Sequence, residues 1–279
     1  MRCQLQFYYR YIADIKEPDN PDDELELDNR IFGNIFHQAA DTLYHQLSKH
    51  VTREALDQLL KSKIAIDKAV DDAFRHELPH AVLGGLHLIN REVIIRYLRQ
   101  LIEIDKALTP FDILGLEYDV VREIPTSDVL PPTSHIRLGG RIDRLDQMSD
   151  GRIRVVDYKT GSRKLKPLAS VEDIFDPAKV HDHSDYYLQT FTYADIVSRQ
   201  ESSPVSPALL FIQHAASKDY DPTLCFGKER ILDIREYSER FCELLEAKVN
   251  EIFSQNIPFT PTTDLKVCRT CPYLQMCRR

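Results

Sequence analysis

The 279-residue sequence has no apolar run approaching the length that spans a bilayer, and its opening MRCQLQFYYRYIADIKEPD lacks the pattern of a secretion signal. It also lacks an excess of positive charge: 36 Lys and Arg stand against 44 Asp and Glu, a formal charge of −8. That argues against a protein that coats nucleic acid with a basic surface, though not against an enzyme with one basic groove. There is no internal repeat, no low-complexity tract and no Gly-x-x-x-x-Gly-Lys-Ser/Thr phosphate loop, so nothing in the sequence reads as a solenoid or an ATP-driven motor. What remains is a soluble, globular composition, 43% apolar and 29% charged, with enough length to bury a core without disulfide staples. Six cysteines without a secretion signal imply a cytoplasmic location and read as free thiols or metal ligands.

The stretch Glu17 to Asp28 is acidic and carries Pro18 and Pro21, the marks of a solvated loop. From Arg30 to Leu47 the pattern turns helical, with Ile31, Ile35, Ala39 and Leu43 on one stripe and Gly33, His37, Ala40 and Tyr44 beside it. Further amphipathic helices are predicted at about 52–62, 65–77 and 89–106. Beyond Pro110 the character changes. Phe111–Ile124, Ile136–Gln147 and Arg152–Lys159 read as strands, separated by a proline-marked loop at 125–135. An irregular, partly basic stretch then precedes a helix at about 184–199, a buried strand at Pro207–His214 and a last long helix at about 234–254. Helices, then strands around a helix, then a helix fit an α/β or α+β core with a helical appendage.

The hairpin Gly139-Gly140-Arg141-Ile142-Asp143-Arg144-Leu145-Asp146 … Ser149-Asp150-Gly151 … Val155-Val156-Asp157-Tyr158-Lys159 carries the chemistry. A three-residue loop at Ser149–Gly151, with Gly151 at positive φ, sets Asp143 opposite Asp157. Cross-strand Cβ atoms lie about 5 Å apart, so the two carboxylates repel unless a cation sits between them. Hard oxygen ligands suit Mg²⁺ or Mn²⁺. Strand alternation puts Lys159 on the face of Asp157, and two carboxylates with a lysine fit phosphodiester cleavage. These residues taken alone fit a solvated face better than a site; the apolar run Ile153, Val155 and Val156 argues for a central strand instead. Asp146, near the turn, reads as solvated or structural.

The tail Cys268-Arg-Thr-Cys271-Pro-Tyr-Leu-Gln-Met-Cys277 places three thiolates within ten residues, a pattern for Zn²⁺ or an iron–sulfur cluster. Both normally take four ligands. Spacing leaves the fourth open among Cys3, Cys225 and Cys242.

Gly-Gly-Arg-Ile-Asp followed by Val-Val-Asp-Tyr-Lys-Thr-Gly resembles the core of the PD-(D/E)xK nuclease superfamily, and more narrowly its RecB- and AddB-like branch, which includes the CRISPR-associated exonucleases. The one departure is Ile142 where the superfamily's name has proline. The resemblance implies an α/β, restriction-endonuclease-like fold: a central mixed β-sheet flanked by helices, with an N-terminal helical appendage and a C-terminal cysteine-cluster tail. It covers nearly the whole chain, read as one nuclease domain: 1–109 helical, 110–215 the catalytic sheet, 216–279 the last helix and the cysteines. Gly33-Asn-Ile-Phe-His37 is similar to the branch's Gly-x-x-x-His motif, which makes His37 a metal ligand with Asp143, Asp157 and the carbonyl of Tyr158. Lys159 then positions water or neutralises the phosphate. Gln189-Thr-Phe-Thr-Tyr193 is similar to the Gln-x-x-x-Tyr motif that holds DNA or the site's geometry, and Glu117 to a supporting acidic position. Arg163, Lys164 and Lys166 are placed to touch a DNA backbone.

The same resemblance selects Cys3, within Cys-Gln-Leu-Gln-Phe-Tyr-Tyr, as the fourth ligand of a [4Fe–4S] cluster with Cys268, Cys271 and Cys277, with zinc as the alternative metal. Cys225 and Cys242 are then ordinary buried thiols. The implied activity is metal-dependent DNA hydrolysis, an exonuclease of repair and recombination acting on single strands or duplex ends. The competing expectation is a catalytically inactive nuclease-fold module for DNA binding or assembly in a helicase–nuclease complex. Relatives carry further residues before the first cysteine, so the sequence is expected to be a piece of a longer AddB-like protein, any motor residing on missing sequence or on a helicase partner. No membrane association is expected.

Overall fold

A computed structural model describes residues 3–16, 28–80, 84–125, 135–161, 165–214, 220–254 and 256–278. Most of the acidic stretch at 17–28, the loop at 126–134, and Arg163 and Lys164 lie outside the described residues. The chain opens with α1 (Gln4–Phe7), continued by a π-helical turn at Tyr8–Ile12. A helical layer follows: α2 (Asn29–Tyr44), α3 (Arg53–Lys61), α4 (Lys63–Glu77) and α5 (Leu86–Leu108), with the short strand β1 (His50–Val51) between α2 and α3. Asp28 starts α2 by accepting the Ile31 N–H at 2.7 Å, an N-cap that sets the phase of every residue on the helix. The predicted stripe Ile31, Ile35, Ala39 and Leu43 is buried as expected.

The strands are β2 (Phe111–Pro125), β3 (His135–Met148), β4 (Ile153–Lys159) and β5 (Val205–Phe211). They form one mixed sheet in the order β1-β2-β3-β4-β5, antiparallel up to β4 and parallel between β4 and β5. The β4–β5 crossover carries α6 (Glu172–Phe175), a 3-10 segment and α7 (Ser184–Ser198). After β5 come the small hairpin β6 (Cys225–Phe226) and β7 (Glu229–Arg230), α8 (Arg235–Phe253) and α9 (Leu265–Cys268). The predicted strand at 207–214 is shorter at its end, where Ile212–His214 turns into a 3-10 segment.

Two apolar cores lie on the two faces of the sheet. Val156, Tyr158, Ala208 and Leu210 pack with the α2–α5 layer, whereas Val155, Leu209, Ile142 and Phe191 pack with α7 and α8. Strand alternation thus sends β4 and β5 side chains into both cores, which is why β4 reads as a continuous apolar run. No helix among the described residues is long and apolar enough to cross a membrane.

Candidate active site

The β3–β4 turn forms as its sequence predicts. Gly151 has φ 85° and donates its N–H to Met148 O at 2.9 Å. The ladder then runs from Gln147↔Ile153 through Arg144↔Val156. One step further, in the same register, Asp143 faces Asp157, and there the backbone pairing stops. The Tyr158 N–H is taken by Asp143 Oδ2 at 2.6 Å instead of a strand carbonyl. Beyond this fork β3 stays with β2 while β4 stays with β5. The carboxylates sit where the strands part.

α2 crosses this fork and lowers His37 onto it, with Nδ1 2.9 Å from Asp143 Oδ1. From β2 comes Glu117. A register shift between Ile113 and Gly115 alters the pairing of β2 with β3, and Glu117 itself adopts φ 44°. Left-handed backbone at a non-glycine residue costs about 1–2 kcal/mol, and here it accompanies a carboxylate brought to the site. Ligand atoms of His37, Glu117 and Asp143 all lie within 4.8 Å of one another, the spacing at which side chains can share one cation.

Asp157 and Lys159 lie alongside. Lys159 Nζ is 2.6 Å from Asp157 Oδ2, donates to Gln189 Oε1 at 3.1 Å and stands 4.6 Å from the centre of the Tyr186 ring. Gln189 Nε2 donates to the Tyr193 hydroxyl at 3.3 Å. Gly140 makes room for that hydroxyl, since a Cβ there would meet it at 2.4 Å. The adjacent Gly139 lies against β2, where a Cβ would stand 2.0 Å from the Val120 carbonyl oxygen. The Gly-Gly pair is therefore steric in origin: one residue for the strand, the next for the aromatic that supports the lysine.

The electrostatics follow from burial first and from neighbouring charges second. Burial drives the Asp157 carboxyl up to about 6; Lys159 pulls it down and Asp143 pushes it up. Burial and the nearby Asp143 also raise Glu117. Burial disfavours the charged form of His37, but attraction to Asp143 and their hydrogen bond outweigh it, with help from Asp157, and its pKa rises. Lys159 likewise titrates above its ordinary range despite burial, because Asp157 and Asp143 hold its charge. It is a fixed cation at neutral pH, unsuited to accept a proton from water.

Asp146 is structural. It is fully buried and accepts from Arg144 Nε at 3.1 Å and from Arg154 Nη2 at 2.6 Å. Arg144, also fully buried, grips Asp105 of α5 through two bonds of 2.6 and 2.8 Å, and the Tyr44 hydroxyl donates to the same Asp105. Its guanidinium lies 4.8 Å from the Tyr44 ring centre and 5.2 Å from that of Phe111. Two carboxylates and two guanidiniums balance, so the helical layer is clamped to the hairpin directly behind Asp143.

The hairpin pattern placed Asp143, Asp157 and Lys159, the family resemblance implied His37, Gln189 and Tyr193, and the fold brings all six together. The resemblance gave Glu117 only a supporting part, and the Arg144 network was missed; the one available signal was the run of alternating charges Arg144, Asp146 and Arg154 on apolar strands. Lys166 pairs with Asp182 at 3.0 Å on the surface.

Away from the carboxylate fork, Cys3, Cys268, Cys271 and Cys277 line a separate pocket walled by Val267 and Leu274. The chain ends are also tied by hydrogen bonds, Leu5 N–H to Thr260 O at 3.2 Å and the Tyr273 hydroxyl to Ile15 O at 2.8 Å. Cys225 lies in β6, and Cys242 Sγ is 3.2 Å from both Arg122 Nη1 and Arg199 Nη2; both thiols are half-buried rather than buried.

A mixed sheet that opens at one end onto carboxylates and a lysine, under a helical layer, is the architecture of restriction-endonuclease-like proteins. Residues 1–278 match the PD-(D/E)XK nuclease superfamily, and the chain belongs to it. It is similar to a subunit of the ATP-dependent helicase/deoxyribonuclease of Lactococcus lactis subsp. lactis (strain IL1403), 24% identical over 201 residues, covering 70% of this chain. The corresponding ATP-dependent helicase/deoxyribonuclease subunit from Streptococcus agalactiae serotype Ia is 26% identical over 208 residues, 74% of this chain. The exonuclease/helicase protein RexB of Lactococcus lactis subsp. cremoris (strain MG1363) is 22% identical over 203 residues, 71% of this chain. Each match takes in 16% of the relative's own length.

Proposed function

We propose that the chain is a metal-dependent deoxyribonuclease that hydrolyses phosphodiester bonds, acting as an exonuclease on single strands or duplex ends in repair and recombination. The convergence of His37, Glu117 and Asp143 within 4.8 Å beside the Asp157–Lys159 pair carries this reading. An imidazole and hard carboxylate oxygens fit Mg²⁺ or Mn²⁺, with Asp157 and the Tyr158 carbonyl at the same fork as further ligands. When bound, such a cation lowers the pKa of a coordinated water and offsets charge on the phosphate. Lys159, held by Asp157 and Gln189 and kept charged, presents its ammonium to the phosphate or orients the attacking water. Gln189 and Tyr193 position that lysine.

The test is digestion of linear DNA with Mg²⁺ or Mn²⁺ by the wild type, Asp143→Ala and Lys159→Ala. Loss of cleavage in both variants with native-like circular dichroism is the expected result. Unchanged cleavage in both sinks the site assignment, and an inert but DNA-binding wild type favours the assembly-module reading.

The four cysteines around one pocket fit a [4Fe–4S] cluster as donor set. Zinc, which also takes four ligands, is the alternative metal. Protein purified without oxygen should be brown and contain iron; a colourless, zinc-loaded product from the same preparation would overturn the cluster. The names of the relatives support a helicase chain or domain as partner.

A further inference from the structure

A cavity of about 680 Å³ opens onto the fork and extends past the residues assigned to the chemistry above. His37 and Lys159 form one end of it. One of its walls carries Phe32 of α2 and Tyr97 of α5, half-buried rings whose centres are 5.9 Å apart at 77°. Three amides, Asn29, Asn90 and Gln213, also line it, the last fixed by donating to the Thr160 carbonyl oxygen at 2.9 Å, and Tyr186 and Phe211 add further aromatic surface. On α5, Asn90 and Tyr97 are spaced to share one helix face, so the helical layer both covers the sheet and furnishes this wall.

The volume falls within the range of about 300–1,000 Å³ typical of small-ligand sites, enough for a nucleotide. Aromatic walls with amides around them suit a nucleobase, which stacks on the former and bonds its edge to the latter. A base inside a duplex has its faces covered by neighbours and its edge by its partner, so only an unpaired nucleotide can use such walls. Resting on the nuclease reading of the adjoining site, we propose that Phe32 and Tyr97 form a nucleobase-stacking subsite that receives one unpaired nucleotide beside the scissile phosphate. The subsite makes local strand separation a condition of productive binding. Its amides bond any base, so it discriminates paired from unpaired rather than one sequence from another.

The chain contains no tryptophan, which keeps the optical background low. Single-stranded thymidine oligonucleotides carrying one 2-aminopurine, walked along the strand, are titrated with the full chain in EDTA so that binding is read without cleavage. The expected result is quenching confined to one position, lost in Phe32→Ala and Tyr97→Ala and kept in Phe32→Trp, whose own emission is quenched by DNA. An abasic residue at that position should weaken wild-type binding about 5- to 150-fold, the range for one stacked base, with little further effect in the alanine variants. Quenching and affinity independent of position, or Phe32→Ala and Tyr97→Ala indistinguishable from a folded wild type, would overturn the subsite. Failure of the nuclease reading appears separately, as base-dependent binding without cleavage when Mg²⁺ or Mn²⁺ is added.

Discussion

Two aspartates three residues apart on the same strand should fail in opposite ways when neutralised. Asp146 lies fully buried between Arg144 and Arg154, in a group whose four charges cancel. Asp146→Asn keeps the volume, so no cavity forms; what it removes is the negative charge, leaving two guanidiniums against Asp105 alone. Breaking a buried pair from one side costs about 3–5 kcal/mol. At roughly 2–4 °C per kcal/mol for a chain of this size, the melting temperature should fall by about 6–20 °C. Asp143→Asn acts on the other sign of the balance. It removes the like charge that adds to burial in raising Asp157 and Glu117, at the cost of weakening the contact with His37. Its stability should stay within about 1 kcal/mol of the wild type or rise, while DNA cleavage disappears. Urea denaturation followed by circular dichroism, run beside a nuclease assay, separates the two. An Asp146→Asn protein as stable as the wild type, or an Asp143→Asn protein destabilised as much as Asp146→Asn, would refute the division into a clamp and a site.

Three further outcomes are expected. In the metal-free protein Asp157 binds its proton more tightly folded than unfolded, so its contribution favours folding below about pH 4 and declines as pH rises to about 6, a loss of about 3 kcal/mol. His37, also raised, adds a stabilisation that is full below its ordinary value of 6.5 and is lost as pH passes its higher folded value. The unfolding free energy of the wild type relative to Asp157→Asn should therefore fall over pH 4–6; a flat difference would contradict the burial of that carboxyl. Metal shows the converse: Mn²⁺ or Mg²⁺ should raise the melting temperature at pH 8 and have little effect at pH 5, where protons occupy the ligands, and equal stabilisation at both would count against this site. Gly139→Ala should disrupt folding, because its Cβ meets backbone of β2. Gly140→Ala should instead leave a folded protein with reduced kcat and little change in KM, through displaced Tyr193 and Gln189; the reverse order of damage would disprove the steric account.

Much of this was legible in the sequence because the governing rules are local. An Asp-Gly turn and strand alternation suffice to put Asp143 opposite Asp157 and Lys159 beside it, and helical periodicity places His37 beside Gly33. Glu117 was harder to read, since its position depends on a register shift and a left-handed residue that no periodicity announces. Alternating Arg144, Asp146 and Arg154 look like a solvated strand face until α5 supplies Asp105 and α2 supplies Tyr44, partners 39 and 61 residues from their contacts. The cavity walled by Phe32 and Tyr97 exists only once α2 and α5 are docked. Long-range docking, not local propensity, decides each of these.

The division of the site among layers bears on when a growing chain completes it. His37 is synthesised first, the two hairpin aspartates more than a hundred residues later, and the Gln189–Tyr193 support for Lys159 later still. β4 gains its parallel neighbour only after Phe211 has been made. An emerging or half-folded chain holds the acidic residues without the geometry that joins them. The site is thus incomplete until both faces of the sheet are covered.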